Sequence, residues 1–252
     1  DLSGFTALST RLPAAELVEL TNSYLALIVA EVDATGGYVD KFIGDAVMAM
    51  WGAPTDNSDH ACDALIASMA IALRIEQERA EAASRGEHGF GVKIGLHSGI
   101  AIVGNVGSEQ RYNYTGVGQT VNVASRFENL SGLYHCSVVI GPTTAKAVAD
   151  RITLRELDSV LVKGLDEPLT IYQPIARYGE ETPEQARTTQ QYRNALEHYR
   201  NRQFKTAYEM WEQLSTTDGP SSVMASRARE YIEKPPPSCW DGIWIVSSKE
   251  HG

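Results

Sequence analysis

Residues 36–52 read Gly-Gly-Tyr-Val-Asp-Lys-Phe-Ile-Gly-Asp-Ala-Val-Met-Ala-Met-Trp-Gly. Two runs rich in apolar residues flank Gly44-Asp45, a two-residue loop of the kind that closes a β-hairpin. We therefore expect Asp45 to project from the hairpin tip and Lys41 to lie on the incoming strand. A surface hairpin with solvated charges gives the same pattern, so this stretch by itself leaves both interpretations open.

The composition is that of an ordinary globular protein. The chain has 252 residues, of which 43% are hydrophobic and 21% charged, enough for one large domain and a smaller one. The formal net charge of −10 argues against a nucleic-acid-binding surface, because such surfaces need clustered Lys and Arg. An anionic ligand would need local cations or a metal ion.

The cysteines and the apolar segments indicate a cytosolic location. Cys62, Cys136 and Cys239 are odd in number and form no Cys-x-x-Cys pair, so we interpret them as reduced thiols. The most apolar stretch, residues 24–32, contains Glu31 and is too short to cross a bilayer. No signal peptide is recognisable.

Hydrophobic periodicity predicts an α+β domain of helices on one mainly antiparallel sheet. Helical spacing covers residues 13–32, 60–83, 121–130 and 143–148. Strand patterns cover residues 92–96, 101–103, 137–140, 152–157, 160–162 and 169–175. The first two of these strands are predicted to form a second hairpin across residues 97–99.

The character of the chain changes after residue 177. Residues 178–188 are polar, contain Pro183 and are predicted to be a linker between a domain at 1–177 and a helical tail at 189–252. The aromatic spacing of the tail loosely resembles one tetratricopeptide unit. Because such units need about three copies for stability, we expect a docked appendage rather than a peptide-binding array.

The first candidate binding group is the opening sequence Asp-Leu-Ser-Gly-Phe-Thr. Asp1 could hold a divalent cation, and the loop that follows leads into a helix start whose N–H groups could bind phosphate. Those N–H groups belong to Ser3, Gly4, Phe5 and Thr6. Asp45 would add the second carboxylate that a pair of hard cations needs.

A second group lies in residues 114–126, Tyr-Thr-Gly-Val-Gly-Gln-Thr-Val-Asn-Val-Ala-Ser-Arg. Asn122 and Arg126 are four residues apart and share one helix face. An amide and a guanidinium on one face could hold a ribose and a phosphate, although a solvated polar stripe would have the same spacing. Lys163 in Val-Lys-Gly ends a predicted strand, where most lysines face water.

These motifs, in this order, resemble the catalytic domain of class III nucleotide cyclases. The matching segments are those quoted above together with Gly-Leu-His-Ser-Gly at 95–99 and Val-Gly-Asn at 103–105, and they extend from Asp1 to about residue 175. The resemblance implies a ferredoxin-like antiparallel sheet with flanking helices, and an adenylate cyclase that converts ATP to 3′,5′-cyclic AMP and pyrophosphate. It also implies two divalent cations, Mg²⁺ or Mn²⁺.

The resemblance assigns roles to particular residues. Asp1 and Asp45 match the metal-binding aspartates, and Leu2 matches the residue whose backbone carbonyl binds metal. Lys41 and Thr115 match the pair that binds the purine edge. A guanine site would instead place an acceptor such as Glu at position 41, and Thr in place of the more familiar Asp marks a subgroup in which bicarbonate response has been described.

The remaining roles concern the sugar and the phosphates. Asn122 matches the residue that holds the ribose, Arg126 the one that faces the reacting phosphate, and Lys163 the lysine that contacts the terminal phosphates. The resemblance further implies a head-to-tail homodimer whose active sites are shared across the interface.

The two ends of the chain depart from the core family. The strand that normally precedes Asp1 is absent from this sequence. The tail resembles the extension of bacterial cyclases whose parent chain is anchored in the inner membrane, with this part on the cytoplasmic side. A degenerate nucleotide-binding regulatory module, a guanylate-type cyclase and a scaffold role remain alternatives; a diguanylate cyclase would carry an acidic Gly-Gly-Asp/Glu-Glu-Phe loop where residues 36–40 read Gly-Gly-Tyr-Val-Asp.

Overall fold

A computed structural model of the chain describes residues 1–108, 110–162 and 164–246. It contains two compact units, Asp1–Glu128 and Asn129–Gly252, and the division falls inside helix α4 (Gln119–Leu133). Both units combine helices with largely antiparallel strands, so the α+β class predicted from the sequence is confirmed.

The first unit holds the hairpin at residues 36–52 and most of the candidate site residues. Before α4, its elements in chain order are β1 (Leu2–Ser3), α1 (Phe5–Ser9), α2 (Ala14–Ala34), β2 (Tyr38–Ile43), β3 (Ala46–Met50), α3 (His60–Ser84), β4 (Gly91–Val92), β5 (Ile94–Leu96), β6 (Ile102–Ser108) and β7 (Arg111–Val117). The strand pairs β1–β4, β2–β3 and β6–β7 are all antiparallel.

The hairpin across Gly44-Asp45 forms as predicted. Ile43 pairs with Ala46, which leaves Gly44 and Asp45 as the two loop residues. Gly44 has a φ of 65°, a left-handed conformation that glycine adopts without steric cost. Asp45 therefore lies at the tip of the hairpin, half-buried.

The hairpin predicted across residues 97–99 is wrong. Strand β6 pairs with β7 instead, from Ile102 opposite Val117 to Ser108 opposite Arg111. Strand β7 was not predicted, because its first three residues are all exposed and give no alternation of apolar and polar side chains.

The core of the first unit lies around Phe90, which is completely buried. Its ring contacts the edge of Tyr24 at a centroid distance of 5.2 Å and stacks on Phe5 at 6.0 Å. Leu2 of β1 is 2% exposed and belongs to the same cluster. The burial of Leu2 fixes the position of its neighbour Asp1.

The second unit contains its own strands and the helical tail. Its elements after α4 are β8 (Val138–Ile140), α5 (Pro142–Val148), β9 (Ile152–Leu161), β10 (Leu169–Arg177), α6 (Pro183–Arg200), α7 (Phe204–Glu212), α8 (Gly219–Glu233) and β11 (Trp244–Ile245). Strands β8 and β9 both pair antiparallel with β10, and β11 pairs parallel with β9.

Two local predictions for this unit need correction. The strands predicted at 152–157 and 160–162 form one continuous strand, β9. Residues 183–188, predicted as linker, are the first turns of α6, because Thr182 and Gln185 form a capping box and Pro183 occupies the first turn.

The tail helices pack on β9. The Tyr192 hydroxyl of α6 donates to the Leu157 carbonyl at 2.9 Å. Arg227 of α8 forms a buried ion pair with Asp158 of β9, and its guanidinium lies 3.8 Å from the centre of the Trp244 ring. These contacts favour a docked appendage.

No helix within the described residues is both long and apolar enough to span a membrane.

Candidate active site

Lys41 and Thr115, the predicted purine-binding pair, are in direct contact. The Lys41 Nζ donates to Thr115 Oγ1 at 3.0 Å, although the residues lie 74 positions apart. Strand β2 lies close to β7, since the Tyr38 and Tyr114 rings also meet edge to face at 5.6 Å. The structure therefore brings these two predicted site residues together within one chain.

Asp40 completes this group and was not predicted from the sequence. The Thr115 hydroxyl donates to Asp40 Oδ2, and Lys41 Nζ lies 3.5 Å from Asp40 Oδ1. The Asp40 side chain is completely buried, Thr115 is 5% exposed, and the Lys41 side chain is 35% exposed. The three residues thus run from the interior to the surface.

A β-bulge explains why both Asp40 and Lys41 reach Thr115. Val39 pairs with Ala49, but Lys41 pairs with Met48, so Asp40 is an extra residue in β2. Adjacent residues of a regular strand point to opposite faces, whereas a bulge redirects a side chain. The only sign of Asp40 in the sequence was its position next to Lys41. In a regular strand, the side chains of these two residues would point to opposite faces.

Asp1 is held by strand pairing and by a lysine that the motifs did not include. The Lys93 amide donates to the Asp1 carbonyl at 2.9 Å. The Lys93 Nζ lies 2.7 Å from Asp1 Oδ2 and 3.0 Å from Glu128 Oε1. Lys93 thus neutralises the Asp1 carboxylate, and a bound cation would take over that charge.

Asp1 and Asp45 belong to elements that share one core. Val39 and Val47, on the two strands of the Gly44-Asp45 hairpin, pack against the buried cluster that contains Leu2, the neighbour of Asp1. The two predicted metal-binding carboxylates therefore both lie on elements of the first unit that contact this cluster.

The donor atoms in this region suit hard cations. The carboxylates of Asp1 and Asp45 and the carbonyl of Leu2 are all oxygen donors, which Mg²⁺ and Mn²⁺ prefer. Among the described residues, no group of three or more His, Cys, Asp or Glu side chains could hold a metal ion by itself. Magnesium commonly binds one or two carboxylates together with substrate phosphates, so these residues fit such a site.

The predicted phosphate-binding loop is a tight turn between β1 and α1. Gly4 has a φ of 92°, a conformation that favours glycine, and its carbonyl accepts from the Leu8 amide at 3.0 Å. Ser3 ends β1, and Phe5 and Thr6 begin α1. The binding of phosphate by this turn stays a prediction.

Asn122 and Arg126 lie on α4, as predicted. Asn122 is exposed and Arg126 is half-buried. The position of this helix depends on Gly95 of β5, where a Cβ atom would lie 2.1 Å from the Ala124 carbonyl oxygen and 2.1 Å from the Glu128 amide nitrogen. The backbone of β5 therefore packs directly on the backbone of α4.

The residues after Gly95 add further contacts to α4. The His97 ring meets the Phe127 ring edge to face at 5.5 Å, and burial lowers the pKa of His97. The Thr120 hydroxyl donates to the Ile100 carbonyl at 2.6 Å near the start of the helix. The Gly-Leu-His-Ser-Gly motif thus positions α4.

Lys163 lies outside the described residues, so its predicted role remains a sequence-based expectation.

The α+β fold is shared with solved structures of class III nucleotide cyclase domains. Residues 1–174 match the family described as the adenylate and guanylate cyclase catalytic domain. The chain belongs to this family.

Particular relatives support the assignment. The chain is 35% identical over 177 residues to an adenylate cyclase of Anabaena cylindrica, a match that covers 69% of this chain and 35% of that protein. The crystal structure of the adenylyl cyclase CyaB from P. aeruginosa has a TM-score of 0.64 and 32% identity, covering 69% of this chain and 90% of that one. The guanylyl cyclase Cya2 has a TM-score of 0.62 and 30% identity, covering 73% and 91%.

These matches establish a nucleotide cyclase domain. The chain spans about a third of the length of the Anabaena relative, 35%. The structural neighbours include an adenylyl and a guanylyl cyclase, so the shared fold is compatible with either purine.

Proposed function

We propose that this chain is an adenylate cyclase domain that converts ATP to 3′,5′-cyclic AMP and pyrophosphate. The observation that carries the proposal is the hydrogen bond between Lys41 and Thr115. An ammonium group can only donate, and adenine N1 is an acceptor. Guanine carries a hydrogen on N1, so the same ammonium would meet a donor there.

The chain's own residues would bind and orient the nucleotide for an in-line reaction. The ribose 3′-oxygen attacks the α-phosphorus, loses its proton and expels pyrophosphate. Asn122 would orient the ribose, because its exposed amide lies one helical turn before Arg126. Arg126 would stabilise the charge that grows on the α-phosphoryl oxygens, and Lys163 is expected to bind the terminal phosphates.

Asp1, Asp45 and the Leu2 carbonyl would hold two divalent cations, Mg²⁺ or Mn²⁺. Such ions lower the pKa of a bound hydroxyl and neutralise phosphate oxygens. Lys93 would hold the Asp1 carboxylate in place until a cation and the nucleotide bind, since its Nζ lies 2.7 Å from that carboxylate.

The active form is proposed to be a homodimer that shares its sites. The support from this chain is a set of exposed large apolar residues on or beside its two hairpins. Single exposed apolar side chains also occur elsewhere on the chain, for example Val18 and Leu73, but several on or beside two hairpins are typical of an interaction surface. The residues and their exposed fractions are Phe42 (53%), Ile43 (59%), Ile100 (95%), Ile102 (73%) and Tyr112 (60%).

The test is product analysis with purified protein, Mn²⁺ or Mg²⁺, and either ATP or GTP. We expect cyclic AMP from ATP and little cyclic GMP from GTP. The variant Asp45→Ala should lose this activity with an unchanged circular dichroism spectrum, whereas Asp56→Ala, an exposed carboxylate of the same unit, should retain it. Cyclic GMP as the main product, or an active Asp45→Ala protein, would contradict the proposal.

A further inference from the structure

Asp40 is a buried charged residue that has no part in the proposed binding of metal, base, ribose or phosphate. Its side chain is 0% exposed, and it is the extra residue of the β2 bulge. Its Oδ2 accepts from Thr115, while its Oδ1 accepts no hydrogen bond and has Lys41 Nζ at 3.5 Å. Since the carboxylate is fully buried, any effect on a nucleotide must act through Thr115 and Lys41.

The Thr115 hydroxyl can form only a limited set of hydrogen bonds. A hydroxyl has one proton to donate, and an ionised carboxylate only accepts. The hydroxyl proton points to Asp40 Oδ2; the other acceptor within reach, the Gly116 carbonyl, is 3.4 Å away. With Lys41 Nζ donating to the same oxygen, Thr115 has only a lone pair left for a ligand.

The Lys41 ammonium supplies a donor beside this acceptor. One of its three N–H groups donates to Thr115, and Asp40 Oδ1, 3.5 Å from Nζ, accepts no hydrogen bond from it, so N–H groups remain for a ligand. The group formed by Asp40, Thr115 and Lys41 therefore presents an acceptor and a donor side by side. Adenine presents the complement, an amino group at position 6 and an acceptor at N1, whereas a 6-oxopurine presents an acceptor and an N–H.

We propose that Asp40 is a positioning residue that sets selectivity for 6-aminopurines, by taking the Thr115 hydroxyl proton and so fixing Thr115 as an acceptor toward the base. The inference rests on the proposed adenylate cyclase function. It adds a residue that determines base selectivity without touching the nucleotide. Specificity of this kind is strong because a mismatched ligand leaves buried polar groups unpaired.

Asp40→Asn is the informative substitution. An Asn side chain at this position would turn its carbonyl oxygen toward the Lys41 ammonium, because the amide NH₂ would be repelled there. The NH₂ would then donate to Thr115, whose own proton would be released toward the ligand. The variant should disfavour the 6-amino group and tolerate a 6-oxo group better.

The measurement is the ratio of kcat/KM with Mn²⁺ for ATP and purine riboside triphosphate, which lacks only the 6-amino group, with inosine triphosphate as a third substrate. We expect wild type to prefer ATP over purine riboside triphosphate by about 2- to 10-fold, the effect of one net hydrogen bond. In Asp40→Asn this preference should fall to about 1, and relative use of inosine triphosphate should rise.

Controls separate selectivity from stability. Asp56→Asn removes an exposed carboxylate and should keep the wild-type ratio. Thr115→Val removes the hydroxyl itself and should also abolish the preference, and it carries the test if Asp40→Asn does not fold. In the Thr115→Val background, Asp40→Asn should cause no further change in the ratio, because the group through which it acts is gone.

Equilibrium binding of the same nucleotides without divalent metal gives the ratio of Kd values independently of turnover. Absence of cyclic AMP formation by wild type would refute the proposed function, while the Kd ratios would still test Asp40. A wild-type preference retained in folded Asp40→Asn or in Thr115→Val would overturn the role of Asp40, whatever the activity. A general loss of activity with an unchanged ratio would also overturn it.

Discussion

Lys41 Nζ lies 3.0 Å from Thr115 Oγ1, which joins the first hairpin of the chain to strand β7. This contact makes Lys41 the surface member of a group whose inner members are buried. A change at Lys41 should therefore alter the base-binding edge without opening the core.

Lys41→Glu replaces a donor by an acceptor and places a second carboxylate beside Asp40. We expect kcat/KM for ATP to fall roughly 10- to 100-fold, the value of a lost hydrogen bond to a charged group. Affinity for Mn²⁺ should change little, because the carboxylates of Asp1 and Asp45 are unaltered. Initial rates and metal titrations measure the two effects.

Lys205→Glu is the matched control, because it makes the same charge change at an exposed residue of α7. It should leave the ATP kinetics unchanged. Wild-type ATP kinetics in Lys41→Glu would remove the basis for assigning adenine to this pair.

Gly95→Ala should destabilise the protein. The added Cβ would lie 2.1 Å from backbone atoms of α4, which cannot move without shifting the helix that carries Asn122 and Arg126. Overpacking of this kind costs about 1–3 kcal/mol or more. The free energy of unfolding, from urea titration, should fall by at least the lower figure.

Gly104→Ala is the comparison, since a Cβ at Gly104 meets nothing within 4 Å. It should change the free energy of unfolding by no more than about 0.5 kcal/mol. Equal stability of the two variants would show that β5 and α4 are not packed as closely as described.

The sequence predicted those parts of the fold whose signals are local. The Gly44-Asp45 hairpin and the long helices α2 and α3 follow from turn chemistry and from the 3.6-residue period, and each formed within about two residues of its expected limits. Strand β7 could not be found in this way, because its outer half is exposed on both faces.

Some residues of the candidate site could likewise be predicted from the sequence, and others could not. Residues in recognisable motifs, such as Lys41 and Thr115, could be named from the sequence and are in contact. Asp40 and Lys93 could not, because their roles depend on a bulge and on the pairing of β1 with β4, and neither leaves a local pattern. Tertiary contacts between distant strands are not encoded in any one window of residues.

Arg227→Met should destabilise the second unit. The substitution would leave the completely buried Asp158 carboxylate with the Tyr134 hydroxyl, which donates at 2.6 Å, but without its cation. Removing one partner of a buried ion pair typically costs about 3–5 kcal/mol. Urea denaturation of the whole chain measures this loss.

Arg229→Met removes an exposed arginine two residues further along α8 and should cost at most about 0.5 kcal/mol. If both variants unfold at the same urea concentration, the buried ion pair does not hold the tail on β9. If Arg227→Met is destabilised and Arg229→Met is not, cyclase activity measured in parallel shows whether docking of the tail affects catalysis.

The shared-site homodimer predicts that two inactive variants complement each other. Asp45→Ala lacks a metal-binding carboxylate and Arg126→Ala lacks the guanidinium at the reacting phosphate. If each site takes Asp45 from one subunit and Arg126 from the other, a mixed dimer has one intact site and one doubly defective site. Equal mixing with random exchange makes half of the dimers mixed, so activity should recover to about a quarter of the wild-type value.

Asp45→Ala mixed with Asp1→Ala is the matched control for this recovery. Both aspartates are assigned to the half-site that one subunit supplies, so each site of that mixed dimer would keep one defect. It should stay inactive while subunit exchange, followed with two fluorescent labels, proceeds. Recovery in neither mixture despite exchange would mean that each chain builds its whole site alone, and then the exposed apolar residues Phe42 and Ile100 would need another explanation.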